Sequence, residues 1–445
     1  MDDARERCAL RLLDDQPEPE AAALWKGLSA FAQGVGEILD NLPDDSPILI
    51  TGPWGSGKTT LLRALQCLID AEPKAKQRTV WFEAWRCESE GALLPALMRV
   101  VWEAAEPSPA KRDALTRAFR MALFVAMRSA RFAAAALGQK DLADAAGSLD
   151  VKDLKEDWDA LLTLGESAPD KDPLGQLHER FATLLEVGWP GAKHALDKRP
   201  IIFIDDLDRC SPDKAVAFIE QIRSIVAIGQ RLPCRFIVAM DREVLVRAIS
   251  AKFASIGAYD GNRYLEKVFP LAFSLPVPEK NAAGELVAKL LRKQRGTESR
   301  VDDEEWSRWH EALSTALCDA NFANPRLMKR CINRFAFIKH FERSAGAPSE
   351  DVLEGDDSDI VLSKWLAATE RWPALRRMVY QRRDEWQRVE QALKGQASGP
   401  LGPDADALLS ERGGSSWLRT EIFAGNNASL GRYQAAELRV RRWGL

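Results

Sequence analysis

The sequence predicts an α/β fold, a parallel sheet flanked by helices, and three observations carry that prediction. Two apolar runs, residues 47–51 and 200–205, end in residues with chemistry of their own: a glycine-rich loop after the first and paired aspartates at the second. Continuous apolar runs of this length suit strands buried on both faces, as in a parallel sheet. Five strand candidates (47–51, 79–85, 200–205, 235–240 and 271–275) alternate with helical periodicity, the pattern of a doubly wound sheet that binds ligands at the carboxyl ends of its strands.

The first element is a helix over residues 21–42, with Leu24, Leu28, Phe31, Val35 and Ile38 on one stripe. It leads into the strand Pro47 to Thr51 and then into Gly52-Pro53-Trp54-Gly55-Ser56-Gly57-Lys58-Thr59-Thr60, followed by a helix from about Lys58. The run fits G-x-x-x-x-G-K-[ST] in full. Its glycines let the loop curl so that backbone N–H groups point at phosphates, and the helix N-terminus adds partial positive charge. Lys58 is expected to neutralise the β- and γ-phosphates and Thr59 to offer its hydroxyl to magnesium, with residues 52–60 forming the nucleotide cradle.

A second site is needed for hydrolysis, and residues 200–209 (PIIFIDDLDR) supply it. Asp205 stands where a strand-end carboxylate holds magnesium. Asp206 follows, placed to orient the attacking water, a position where many ATPases carry glutamate. For Asp208 and Arg209 a site role and a structural salt bridge at the turn both fit the residues.

These blocks, with others, resemble the KAP family of P-loop NTPases. The others are Val80-Trp81-Phe82-Glu83-Ala84-Trp85-Arg86, where Glu83 replaces a usual asparagine, and Phe236 to Leu245. Tyr264 to Pro270 and Asn324-Pro325-Arg326-Leu327-Met328-Lys329-Arg330 complete the set. The resemblance spans roughly residues 20–340. It implies ATP as the nucleotide, an ATPase, and a core of the additional-strand type, with the acidic strand placed beside the P-loop strand. It also implies a helical lid and a γ-phosphate sensor at Arg326; capping of a helix by Asn324 and Pro325 explains the same residues. Family members often insert transmembrane helices between the P-loop and the acidic strand. Here that interval is Ala-, Leu-, Arg- and Asp-rich and reads as a helical subdomain whose arginines (Arg112, Arg117, Arg120, Arg128 and Arg131) form either a basic stripe or a solvated face.

The expected divisions are an N-terminal helical segment (1–46), the first half of the core (47–105), the insertion (106–195), the second half (196–279), a lid (280–345), and an acidic linker with a C-terminal helical region (346–445). In that last region, from residue 361 onward, 14 Lys and Arg face 9 Asp and Glu, interleaved with tryptophans. Nucleic-acid binding through this region is one reading; an amphipathic helix packing its tryptophans is the other. The closing GGSSWLRTEIF and VRRWGL segments read as loop and tail.

Composition narrows the function classes. With 445 residues, 46% hydrophobic and 29% charged, the chain can bury more than one core and is too apolar for general disorder. A net charge of −4 argues against a surface that is a nucleic-acid footprint throughout. Seven scattered cysteines suggest neither a disulfide framework nor a zinc knuckle, and a reducing cytoplasm is the expected setting. The most apolar long stretch, residues 121–138, carries Arg128 and Arg131 near its middle, so no integral membrane insertion is expected. No effector motif accompanies the nucleotide site. The expectation is therefore a magnesium-dependent ATP switch acting through a protein partner or a homo-oligomer, in a setting of phage defence or mobile elements that the resemblance supplies; the alternatives are a DNA- or RNA-associated ATPase using the basic C-terminal region, and a nucleotide-gated scaffold that does not hydrolyse.

Overall fold

The computed structural model describes residues 12–17, 24–42, 47–71, 78–90, 92–105, 173–192, 198–226, 232–254, 260–295, 302–318, 322–344, 358–393 and 428–442, together with ten isolated positions between and after these. The chain forms two compact units, one holding Leu28–Leu275 and the other Pro276–Leu445 with the N-terminal residues up to Gln16.

In the first unit five parallel strands, β1 (Ile48–Thr51), β2 (Thr79–Glu83), β3 (Ile201–Asp205), β4 (Arg235–Met240) and β5 (Leu271–Ser274), lie in the order β2-β3-β4-β1-β5. Strands β1, β3 and β4 are buried at every residue, as their unbroken apolar spelling requires. The acidic strand is not beside the P-loop strand, contrary to expectation: β4 lies between them, Ile48 facing Ile237 and Ile204 facing Val238. Because all the strands are parallel, β1 and β3 still end at the same edge of the sheet.

Helix α1 (Lys26–Asn41) buries Leu28, Ala32, Val35 and Leu39, steps of four, three and four residues that keep to the helical period. Ile38, placed on the stripe from sequence, is 39% exposed. Helix α2 (Lys58–Asp70) runs from the glycine-rich loop and buries Leu61, Leu62, Leu65 and Ile69. Strand β2 stops at Glu83, two residues short of its expected end, because Ala84 to Cys87 close a turn.

The unit continues with α3 (Leu93–Ala104), α4 (Pro173–Gly188), α5 (Pro212–Val226), α6 (Arg242–Lys252) and α7 (Gly261–Val268). Most of the expected insertion, including Arg117, Arg120, Arg128 and Arg131, lies outside the described residues. Arg112 is exposed, Phe119 stacks on Trp102 at 5.0 Å, and α4 closes the interval with Leu177, Phe181, Leu184 and Leu185 in the core. Among the described residues no helix is long and apolar enough to cross a membrane.

The second unit is helical: α8 (Lys280–Arg295), α9 (Asp303–Leu317), α10 (Pro325–Ser344), α11 (Ser358–Arg371), α12 (Ala374–Tyr380), α13 (Arg383–Leu393) and α14 (Ala428–Arg442). Helix α11 packs against α9, α10 and α14. Trp365 and Trp386 are fully buried and Trp372 is nearly so, so the described tryptophans of the basic C-terminal stretch serve the core; Trp417 and Trp443 lie outside the described residues. Several described arginines of that stretch are engaged inside the chain as well, as are two arginines of α10. Arg376 and Arg441 flank the buried Glu437 at 3.7 and 3.0 Å, Arg330 and Arg334 flank the buried Glu370, and Arg439 forks onto Glu342. Of the segment read as a tail, Val440 to Arg442 are the end of α14, with Val440 fully buried; Tyr433, Ala436 and Val440 recur at helical spacing. Most of the acidic linker lies outside the described residues, though its Asp359 sits in α11 and pairs with Lys339 at 3.0 Å.

Trp365 both fills this core and donates its indole N–H to Glu437 Oε2 at 2.7 Å. Trp365→Ala is expected to cost about 3–5 kcal/mol of stability in denaturant unfolding followed by circular dichroism. Trp365→Phe keeps most of the volume but takes a donor from a buried carboxylate, at about 1–3 kcal/mol. Equal stability of the Phe variant and wild type would show that the bond to Glu437 contributes nothing.

Candidate functional site

The carboxyl edge of the sheet gathers the residues singled out above. Beyond β1, Gly55 and Gly57 take φ of 81° and 103°, conformations that glycine adopts at no steric cost. Gly52 has a different reason to lack a side chain: a Cβ there would meet Ser56 Oγ at 2.7 Å. The loop closes through Ser56 N–H on Pro53 O at 3.1 Å, and α2 begins at Lys58. Trp54 is 56% exposed, whereas Lys58 is buried. The ammonium of Lys58 lies 2.9 Å from Gly52 O, 3.3 Å from Pro53 O and 3.5 Å from Asp208 Oδ2.

Strand β3 delivers Asp205, 2% exposed, to the same edge. Burial pushes its carboxyl up to about 6, and the neighbouring charge of Asp206 adds to the rise; the Thr59 hydroxyl, a backbone hydrogen bond from Asp206 and the Lys58 charge pull the other way. The hydrogen bond to Thr59 joins the residue after the P-loop lysine to the end of the acidic strand. Asp206 follows with φ 57°, the one non-glycine residue with positive φ among those described. Burial also raises its carboxyl; Arg209, whose Nε lies 3.0 Å away, opposes that, while Asp208 and Glu83 reinforce it. A short 3-10 turn, Leu207–Arg209, then places Asp208, whose Oδ2 accepts the backbone N–H of Asp241 at 2.7 Å.

Glu83 lies opposite Asp205 in the β2–β3 register. Its carboxylate accepts the Trp81 indole N–H at 3.2 Å and pairs with Arg86 at 2.5 Å and Arg63 at 3.7 Å. Arg63, one turn along α2 from Thr59, stacks on Trp81 at 3.4 Å and lies close enough to Asp205 to feel its charge; burial lowers its pKa. An asparagine at position 83 could accept hydrogen bonds from these arginines but could not neutralise them. Sequence reasoning missed Arg63 and Asp241. Arg63 carried a signal in its four-residue spacing from Thr59, whereas Asp241 acts through a backbone N–H that no residue pattern reveals.

The structure thus brings together Gly52 to Thr60, Asp205, Asp206 and Asp208. Arg326 belongs to the helical unit. There Asn324 Oδ1 accepts the N–H groups of Arg326 and Leu327 at 3.0 and 3.2 Å, which is the helix-capping arrangement, and the Arg326 guanidinium pairs with Asp15 at 3.2 Å.

These groups fit a magnesium-bound nucleotide. Ser56 Oγ is buried inside the loop with no hydrogen-bond partner among the described residues, a polar atom that a phosphate oxygen would satisfy. Thr59 and Asp205 provide hard oxygen donors of the kind magnesium takes, and Asp205 is a buried carboxylate that lacks a full counter-charge.

The raised pKa of Asp205 makes a signed prediction for protein in EDTA without nucleotide. A carboxyl that ionises near 6 in the fold, against 3.8 ordinarily, destabilises the fold increasingly as pH climbs between those values and by a constant amount above them. Asp205→Asn is therefore expected to raise stability by up to about 3 kcal/mol near pH 8, with the gain shrinking towards pH 4. Thermal melts across that range check it; a gain independent of pH would contradict it.

Comparison with known proteins places this geometry. The KAP family P-loop domain matches residues 28–341, well over half of the chain. The Phage T7 exclusion protein of Escherichia coli (strain K12) is 22% identical over 299 residues, which cover 58% of this chain and 36% of that protein. With the glycine-rich loop, the paired aspartates and the five-stranded parallel core in the matched region, the chain belongs to the KAP family of P-loop NTPases.

Proposed function

We propose that the protein is a magnesium-dependent ATPase whose nucleotide state is read by a partner. The observation that carries this reading is the junction of Thr59 with Asp205, which joins the phosphate loop to the acidic strand in one corner of the site. Thr59 and Asp205 would hold the metal, which supplies charge neutralisation at the β- and γ-phosphate oxygens. The loop from Gly52 to Thr60 binds the phosphates through backbone N–H groups, Ser56 and Lys58. Asp206 accepts a hydrogen bond from the attacking water and sets its line of approach. ATP is chosen over GTP from family membership, since the chain has no N-K-x-D element. Arg326 is assigned as a γ-phosphate sensor by the resemblance, a role that needs its ion pair with Asp15 to open.

A phage-defence setting rests on the relative's printed name, and the match covers 36% of that protein. The effector is a protein partner or a second copy of the chain, and the compartment is the cytoplasm, as the scattered cysteine spacing of the sequence suggests. Nucleic acid as a partner finds less support, because Arg376 and Arg441 of the C-terminal region are engaged by the buried Glu437 and Arg439 by Glu342.

ATP turnover with magnesium is the direct test, in wild type, Lys58→Ala and Asp206→Asn, each with and without DNA. Asparagine is the better replacement at 206 because it tolerates positive φ. Lys58→Ala is expected to lose nucleotide binding, and Asp206→Asn to bind ATP normally while turnover drops by about 10²–10⁴. Wild-type turnover no higher than that of Asp206→Asn would remove the assignment of Asp206. Stimulation by DNA would restore the nucleic-acid reading.

A further inference from the structure

A lysine ammonium has three N–H bonds, and around Lys58 three acceptors of the chain itself are in place. Two are carbonyls of its own loop, Gly52 O and Pro53 O. The third is Asp208, and its charge makes it the strongest competitor for the cation. Both side chains are nearly inaccessible, 9% and 6% exposed, so water screens the pair weakly. Asp208 is also unable to follow the lysine elsewhere. The same Oδ2 accepts the Asp241 backbone N–H at 2.7 Å, at the corner where β4 passes into α6, and Asp241 is anchored there by capping Glu243 N–H.

We infer that Asp208 is a positioning residue that competes with nucleotide phosphate for Lys58 and so lowers the protein's affinity for nucleotide. The inference rests on the reading of the loop as a nucleotide site. For Lys58 to grip a phosphate it has to give up part of its contact with Asp208. That leaves a buried carboxylate whose remaining partner is a backbone N–H, and a buried charge stripped of its counter-ion is costly. The release of nucleotide is eased by the same amount, because Asp208 takes the lysine back. This role differs from contact with the reacting atoms and from simple support of the turn, and each of the three gives a different sign on substitution.

Asp208→Asn tests it, since the amide oxygen still accepts the Asp241 N–H while the charge is gone. Titrating MgADP by calorimetry avoids turnover. Asp208→Asn is expected to bind about tenfold more tightly than wild type. Glu243→Gln, which removes an exposed carboxylate of α6 that pairs with Arg247 and does not touch Lys58, is expected to leave the affinity unchanged. Unchanged affinity in Asp208→Asn would make Asp208 a structural prop, weaker affinity would make it a ligand of the metal or phosphate, and equal tightening in both variants would reduce the effect to a general field. Each of these overturns the inference while leaving the nucleotide site standing. Failure of both wild type and Asp208→Asn to bind MgADP removes both.

Discussion

A carboxylate at the end of a fully buried strand has to be balanced by whatever the surrounding chain can bring to it, and Asp205 sets that demand here. The hydroxyl of Thr59, a backbone hydrogen bond from Asp206 and the charge of Lys58 answer it from within the first unit. None of them cancels it. The residue consequently stays poised to prefer a proton or a cation, and the elements that end nearby carry groups of compensating sign. Arg63 on α2 and Arg86 after β2 are both tied to Glu83 on the neighbouring strand, so the arginines and the acids form one connected field. The sheet order matters to this field because β4 separates β1 from β3 and supplies, just past its own end, the backbone donor that fixes Asp208.

Local spelling made much of this readable. Strands β1, β3 and β4 announce themselves because burial on both faces leaves no room for polar alternation, and the glycine-rich loop is legible because positive φ at Gly55 and Gly57 needs that residue type. What could not be read is non-local. The position of β4 between β1 and β3 follows from pairing between residues nearly two hundred apart, and nothing in either strand's composition encodes its neighbour. The same limit hid the pairing of Arg376 and Arg441 with Glu437, which makes a basic aromatic stretch look like a binding surface when some of its described charges are met inside the chain. Stripe assignments erred by one residue at Ile38, since a helix admits two adjacent positions at the edge of an apolar face and only the packing decides between them.

The two units handle polar burial by different means. In the helical unit the buried carboxylates of Glu370 and Glu437 are each flanked by two arginines and Glu437 also receives an indole N–H, whereas the buried Glu385 pairs with Arg382 through Oε1 and leaves Oε2 without a hydrogen bond among the described residues. Such arrangements specify a unique packing more than they add stability. At the sheet edge Asp205 is buried without a full counter-charge, and that imbalance lies where chemistry would use it.

The left-handed backbone at Asp206 bears on which acid can occupy that place. Positive φ is tolerated by aspartate and asparagine, whose short side chains can bond locally, and is strained for longer side chains such as glutamate. A glutamate placed here would bear about 1–2 kcal/mol for the left-handed backbone unless the turn changed with the side chain. The choice of acid is in that sense inherited from the backbone, and the reach of the carboxylate toward water is a consequence of the path the chain takes out of β3.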